Sequence, residues 1–145
     1  MSPALTYQEL QDILPQAYPF ILIDKIEDYC PNDWLIAIKN VTGNEWQQGR
    51  EGNLSEYFPE TLLIEAAAQA ALVLYHISKV KDQRPRYFLG RAKADFKKEV
   101  GLGEQLAIRI SSGKLLDSGG YVDARVSSEK QEVAEMELIF KVITL

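Results

Sequence analysis

Glu65 and Gln69 stand one helical turn apart in an otherwise apolar stretch, residues 62–77, in which His76 is the next clearly polar side chain. The stretch follows Phe58-Pro59, and proline suits the first positions of a helix. A helix apolar on nearly every face has to be surrounded by protein, because a chain in water has no other way to hide so much surface. Glu65 is therefore expected to be buried or half-buried. Taking a lone carboxylate out of water is costly, so a group kept there is either paired or used. If paired, its natural partners are Gln69 and backbone donors. If used, it can act as a general acid, or as a base that activates water in a wetter site.

Few other side chains compete for a chemical role. His76 is the sole histidine and lies eleven residues beyond Glu65, close to three helical turns and so on nearly the same face. A rise of about 1.5 Å per residue still separates the two by roughly 16 Å, too far for a pair within one chain. With one histidine and one cysteine, Cys30, the chain cannot build a His/Cys zinc site, and no carboxylate group has metal-loop spacing. No metal and no cofactor are expected.

The elements that must hold Glu65 can be read from pattern. Thr6 and Glu9 have capping-box spacing, and Leu10, Ile13 and Leu14 share a face, which predicts a short helix over 6–14 stopped by Pro15. Residues 20–29 and 34–41 are β-branched and aromatic runs around a Pro-Asn-Asp turn, an antiparallel hairpin. A polar, glycine-containing loop over 42–57 precedes the long helix and is of the length that often walls a site. Strand-like runs over 87–100, 105–116, 121–128 and 133–143 follow, separated by turns at Gly103, Ser118-Gly119-Gly120 and Glu129-Lys130. The order predicts an α+β fold in which an antiparallel sheet of about six strands wraps around one long central helix. The apolar stretch, interrupted by Glu65 and Gln69, falls short of the roughly 20 residues that span a bilayer.

Composition is consistent with this. The 145 residues, 46% hydrophobic and 26% charged, suit a single domain over 1–145 with an ordinary globular core. Sixteen basic against twenty-one acidic residues, a net charge of −5, argue against a general nucleic-acid or anionic-membrane binder. One cysteine excludes an internal disulfide, and without a basic-then-apolar leader the expected compartment is the cytoplasm.

Three stretches resemble the 3-hydroxyacyl-acyl-carrier-protein dehydratases of the hotdog fold. Leu14-Pro15-Gln16-Ala17-Tyr18-Pro19-Phe20-Ile21-Leu22-Ile23-Asp24-Lys25 is similar to their LPHRYPFLLVDR segment, and Phe58 through Gln69 to their FPGVLIIEAMAQ helix start. Tyr87-Phe88-Leu89-Gly90 with Asp95-Phe96-Lys97-Lys98 is similar to the strand that follows. The resemblance runs from about Leu10 to the C-terminus and is specific in order and spacing. It implies a pair in which a loop histidine removes the C2 proton of an acyl thioester while a helix carboxylate protonates the departing hydroxyl. Glu65 takes the carboxylate position, whereas Glu51 takes that of the histidine, flanked by Arg50 and Gly52. An ordinary carboxylate is a poor acceptor for a C–H proton, so Glu51 is an unproven substitute base. The family's glycine at the helix start, whose N–H binds the thioester oxygen, is Glu60 here, and its side chain is expected to crowd that approach.

The resemblance further implies that Glu60, Gln69, Phe58 and Phe88 bind substrate. Lys79, Lys81, Arg84, Arg86, Arg91, Lys93, Lys97 and Lys98 place eight of sixteen basic residues in one short window opposed by Asp82 and Asp95. Solvation of a strand edge would explain part of that excess. Docking of an acidic acyl-carrier protein or of coenzyme A phosphates would explain the clustering, with Arg84, Arg86, Lys97 and Lys98 as the contacts. The expected molecule is an acyl-thioester-binding hotdog protein of fatty acid or related acyl-chain biosynthesis, a homodimer or trimer of dimers. A heterodimer with a histidine-bearing subunit would complete its acid/base pair. A thioesterase using Glu65 and a non-catalytic carrier-binding subunit are the alternatives.

Overall fold

The Thr6 hydroxyl accepts the Glu9 N–H at 3.2 Å while the Glu9 carboxylate accepts the Thr6 N–H at 3.2 Å, closing the capping box that starts α1 (Tyr7–Ile13). This computed structural model describes residues 4–42, 57–79 and 85–143. Among them the strands are β1 (Lys25–Cys30), β2 (Trp34–Asn40), β3 (Arg86–Phe96), β4 (Gln105–Leu116), β5 (Gly119–Ser128) and β6 (Gln131–Ile143). The long helix is α2 (Glu60–Lys79). The strands form one antiparallel sheet in the order β1-β2-β4-β5-β6-β3, which leaves β3 at an edge.

Alternation of buried and exposed residues along β4, β5 and β6 shows which face is covered: Leu106, Ile108 and Ile110 of β4 and Val122, Ala124 and Val126 of β5 are buried, with more exposed residues between them. α2 lies on that face, packed against β2, β3, β4 and β5. It is long and apolar enough to cross a bilayer by composition alone, yet it is largely buried against the sheet. Ala66, Ala67, Ala70 and Ala71 supply small side chains that allow close approach of helix to sheet, and Leu63, Val73 and Leu74 fill the core around them. The expected α+β hotdog architecture, six strands about one long helix, is what the chain adopts.

One boundary differs from the pattern. The run expected as a strand from residue 20 begins pairing only at Lys25. Residues 20–24 are instead held to α2 by a side chain: Leu22 N–H donates to Gln69 Oε1 at 2.8 Å, and the Phe20 carbonyl accepts from Gln69 Nε2 at 2.7 Å. The Gln69 carboxamide thus takes up two backbone groups that a ladder would otherwise pair, and the chain reaches β2 only at Asp24, whose N–H donates to the Ile38 carbonyl at 2.8 Å.

Candidate functional site

Gln69 is fully buried, with both N–H groups of its carboxamide donating and its oxygen accepting one bond. Besides the two backbone bonds to Leu22 and Phe20, Gln69 Nε2 donates to Glu65 Oε1 at 3.2 Å, across one helical turn. Gln16, on the leading segment between α1 and β1, donates from Nε2 to the same oxygen at 3.4 Å. Two carboxamides therefore converge on Oε1, and Oε2 has no hydrogen bond among the described residues. A half-buried carboxylate oriented through one oxygen leaves the other to meet a ligand, and any proton it carries belongs on Oε2.

That carboxylate lines a cavity of about 180 Å³. Its walls are Pro15 and Gln16 of the leading segment, Glu65, Ala68, Gln69, Ala71 and Leu72 of α2, Tyr87 and Leu89 of β3, and Leu138 and Phe140 of β6. Most of these are apolar, as an acyl site requires, with a few convergent polar groups. Tyr75 braces the aromatic side of this region, meeting Tyr87 edge-on at 6.0 Å and Phe140 edge-on at 5.5 Å between ring centroids. The Tyr75 hydroxyl donates outward to the Leu116 carbonyl at 2.7 Å. Burial, with a smaller contribution from Tyr75, pushes the Tyr87 phenol up to about 12. It stays protonated at neutral pH.

The structure brings together only some of the residues singled out in the sequence. Glu65 and Gln69 share the cavity. Phe88 does not reach it: Tyr87 and Leu89 line the cavity, and strand alternation turns the intervening Phe88 to the other face, where it is 49% exposed. Phe58 is core, its N–H donating to the Val100 carbonyl at 2.8 Å. Phe58 and the exposed Glu60 line a separate depression with Tyr57, Phe96 and Lys98, so Glu60 does not crowd the Glu65 cavity. Glu51 and Arg84 lie outside the described residues. Arg86 is exposed on β3, but Lys97 is paired with Glu132 at 3.5 Å and Glu135 at 3.9 Å, and Lys98 with Glu104 at 3.3 Å. His76 lies on α2 away from the cavity walls. Among the described residues no cluster of three or more His, Cys, Asp or Glu side chains could hold a metal ion.

Gln16 and Tyr87 were not among the expected site residues. Gln16 carried a signal, since it replaces the histidine of the LPHRYPF segment, whereas nothing in the pattern of its strand marks Tyr87 over Phe88.

Comparison with known proteins gives a consistent picture. The family model for the FabA-like domain matches residues 14–137. The chain is 37% identical over 141 residues to the 3-hydroxyacyl-[acyl-carrier-protein] dehydratase FabZ of Enterococcus faecalis, covering 95% of this chain and 98% of that protein. It is also 37% identical over 144 residues to FabZ of Chlamydia trachomatis, covering 97% and 94%. Among solved structures, the dehydratase heterocomplex ApeI:P from Xenorhabdus doucetiae aligns with a TM-score of 0.77 at 16% identity, over 91% of this chain and 89% of that one. A mutant thioesterase from Pseudomonas aeruginosa aligns with a TM-score of 0.73 at 12% identity, over 98% and 96%. At such identities the structural likeness speaks to the fold.

Proposed function

The chain belongs to the FabA-like family of hotdog 3-hydroxyacyl-acyl-carrier-protein dehydratases, and from that membership we propose that it binds a pantetheine-linked acyl thioester and supplies the acid half of a dehydration. The observation that carries this is Glu65 on the wall of a mostly apolar cavity, with Oε1 held by Gln16 and Gln69 and Oε2 without a hydrogen bond among the described residues. In the elimination, a base takes the C2 proton and the released electron pair forms the C2=C3 bond. The C3–O bond breaks, and the hydroxyl leaves as water with the proton of Glu65. Either Glu51 or a histidine on a partner subunit serves as the base. The second source agrees with the name of one structural relative, a dehydratase heterocomplex.

Pairing through the edge strand β3 is the proposed route to a dimer, whether of like or unlike chains. Exposed apolar side chains on or near that side, Phe88 at 49%, Ile139 at 39% and Ile143 at 47%, support it. The protein is proposed to act as one hotdog domain in the cytoplasm. Its acyl group arrives on an acyl-carrier protein or on coenzyme A.

The purified protein, alone and with any hotdog chain that co-purifies, should be incubated with 3-hydroxyacyl and saturated acyl thioesters. The expected product is the 2-enoyl thioester, and Glu65→Gln should lower its formation by at least about 100-fold. Release of free thiol instead would favour hydrolysis by water activated at Glu65, a reaction that needs no C–H abstraction. Binding without turnover, alone and with the partner, would leave a carrier-binding subunit.

A further inference from the structure

Two polar atoms on the walls of the Glu65 cavity have no partner. Gln16 Oε1 and the Tyr87 hydroxyl are both buried, and neither makes a hydrogen bond. Buried polar groups are satisfied as a rule, and leaving one unpaired costs about 1–3 kcal/mol. Here both exceptions among the described side chains belong to residues lining one cavity, Gln16 from the leading segment and Tyr87 from β3. Their chemistry is complementary. Gln16 Oε1 can only accept, whereas the Tyr87 hydroxyl can donate. Gln16 Nε2 already contacts Glu65 Oε1 at 3.4 Å, so the unpaired oxygen of that carboxamide lies no more than one amide group from the acid.

From this geometry we infer that Gln16 and Tyr87 form a recognition pair for the hydroxyl of a 3-hydroxyacyl group, which donates to Gln16 Oε1 and accepts from Tyr87 Oη beside the Glu65 carboxylate. The inference rests on the acyl-thioester reading and adds to it the means by which the site prefers a hydroxylated chain to a saturated one. Tyr87 can donate across the physiological range, because its proton is held to about pH 12. Its ring packs edge-on against Tyr75, which restricts its freedom before any ligand arrives. A site built around such groups rejects the analogue that lacks the hydroxyl, since both atoms are then left unpaired. The cavity, about 180 Å³, suits a short acyl segment.

The test measures affinities of the protein for 3-hydroxybutyramide and butyramide analogues of the pantetheine thioester, by calorimetric titration. An amide nitrogen replaces the thioester sulfur in both, so neither elimination nor hydrolysis intervenes. The wild-type chain should prefer the hydroxylated analogue by about tenfold or more. Tyr87→Phe, which removes a hydroxyl without breaking any bond within the chain, should bring that ratio to within about twofold of unity. If wild type binds both analogues equally, the two atoms serve only bound water and the inference falls while the acyl reading stands. An unchanged ratio in Tyr87→Phe overturns it likewise. Binding of neither analogue removes the acyl reading and this inference with it.

Discussion

The Gln69 carboxamide joins the long helix to the segment before β1, since it orients Glu65, accepts from Leu22 and donates to Phe20. Replacing it by leucine keeps the volume roughly but strands a buried N–H and a partly buried carbonyl. Gln69→Leu is therefore expected to cost about 2–4 kcal/mol in urea denaturation; a loss below about 1 kcal/mol would show that these bonds contribute little. Sequence reading found the short-range half of this arrangement, Gln69 beside Glu65, because four-residue spacing is a helix regularity. The other half joins residues 47 positions apart and leaves no periodic trace. Tyr87 was missed for a related reason: which face of a strand points inward depends on the sheet it joins, and the neighbouring Phe88 looked the better apolar wall.

At the scale of elements, the long helix and the last four strands were legible to within a few residues, since alternation and helical apolar runs both report one-sided burial. The first strand was not, because its leading residues are extended and apolar yet bonded to a side chain. The turn between β3 and β4 depends on a polar network as well. Glu104 accepts from the Ser128 hydroxyl at 2.6 Å, from the Gly101 N–H, and from Lys98 Nζ at 3.3 Å. The Ser128 and Gly101 bonds, helped by Lys98, hold the Glu104 carboxyl below its ordinary 4.5. The folded state thus binds this proton less readily than the unfolded chain does. Its stabilisation is complete above about pH 4.5 and is lost as pH falls through the lowered folded value. Glu104→Gln should flatten the acid limb of a melting-temperature profile between about pH 5 and 3; a limb of unchanged slope would assign acid sensitivity elsewhere.

Over the whole molecule, charge that is clustered in sequence is divided in space. Lys97 and Lys98 are engaged by acids of β6 and of the β3–β4 turn, while Arg86, Arg91 and Lys93 remain exposed on β3 of a chain whose net charge is −5. The proposed docking of an acidic carrier protein is therefore assigned to the second group. Arg86→Glu should weaken carrier-protein binding about three- to tenfold at low salt and reduce its salt dependence. Lys97→Glu should instead act on melting temperature, through its pairs with Glu132 and Glu135. Unchanged carrier affinity in Arg86→Glu would remove the docking idea. The sequence could show the excess of positive charge but not its pairing, since the acids that engage Lys97 come from β6, much later in the chain.

The leading segment has a final consequence. It contributes little to the sheet, yet through Gln16 and the backbone of Phe20 and Leu22 it shares in setting the pose of the acid. The opening two dozen residues, which also bury Leu10, Leu14 and Ile23 in the core, are thus a tether for the carboxylate as much as a part of the fold.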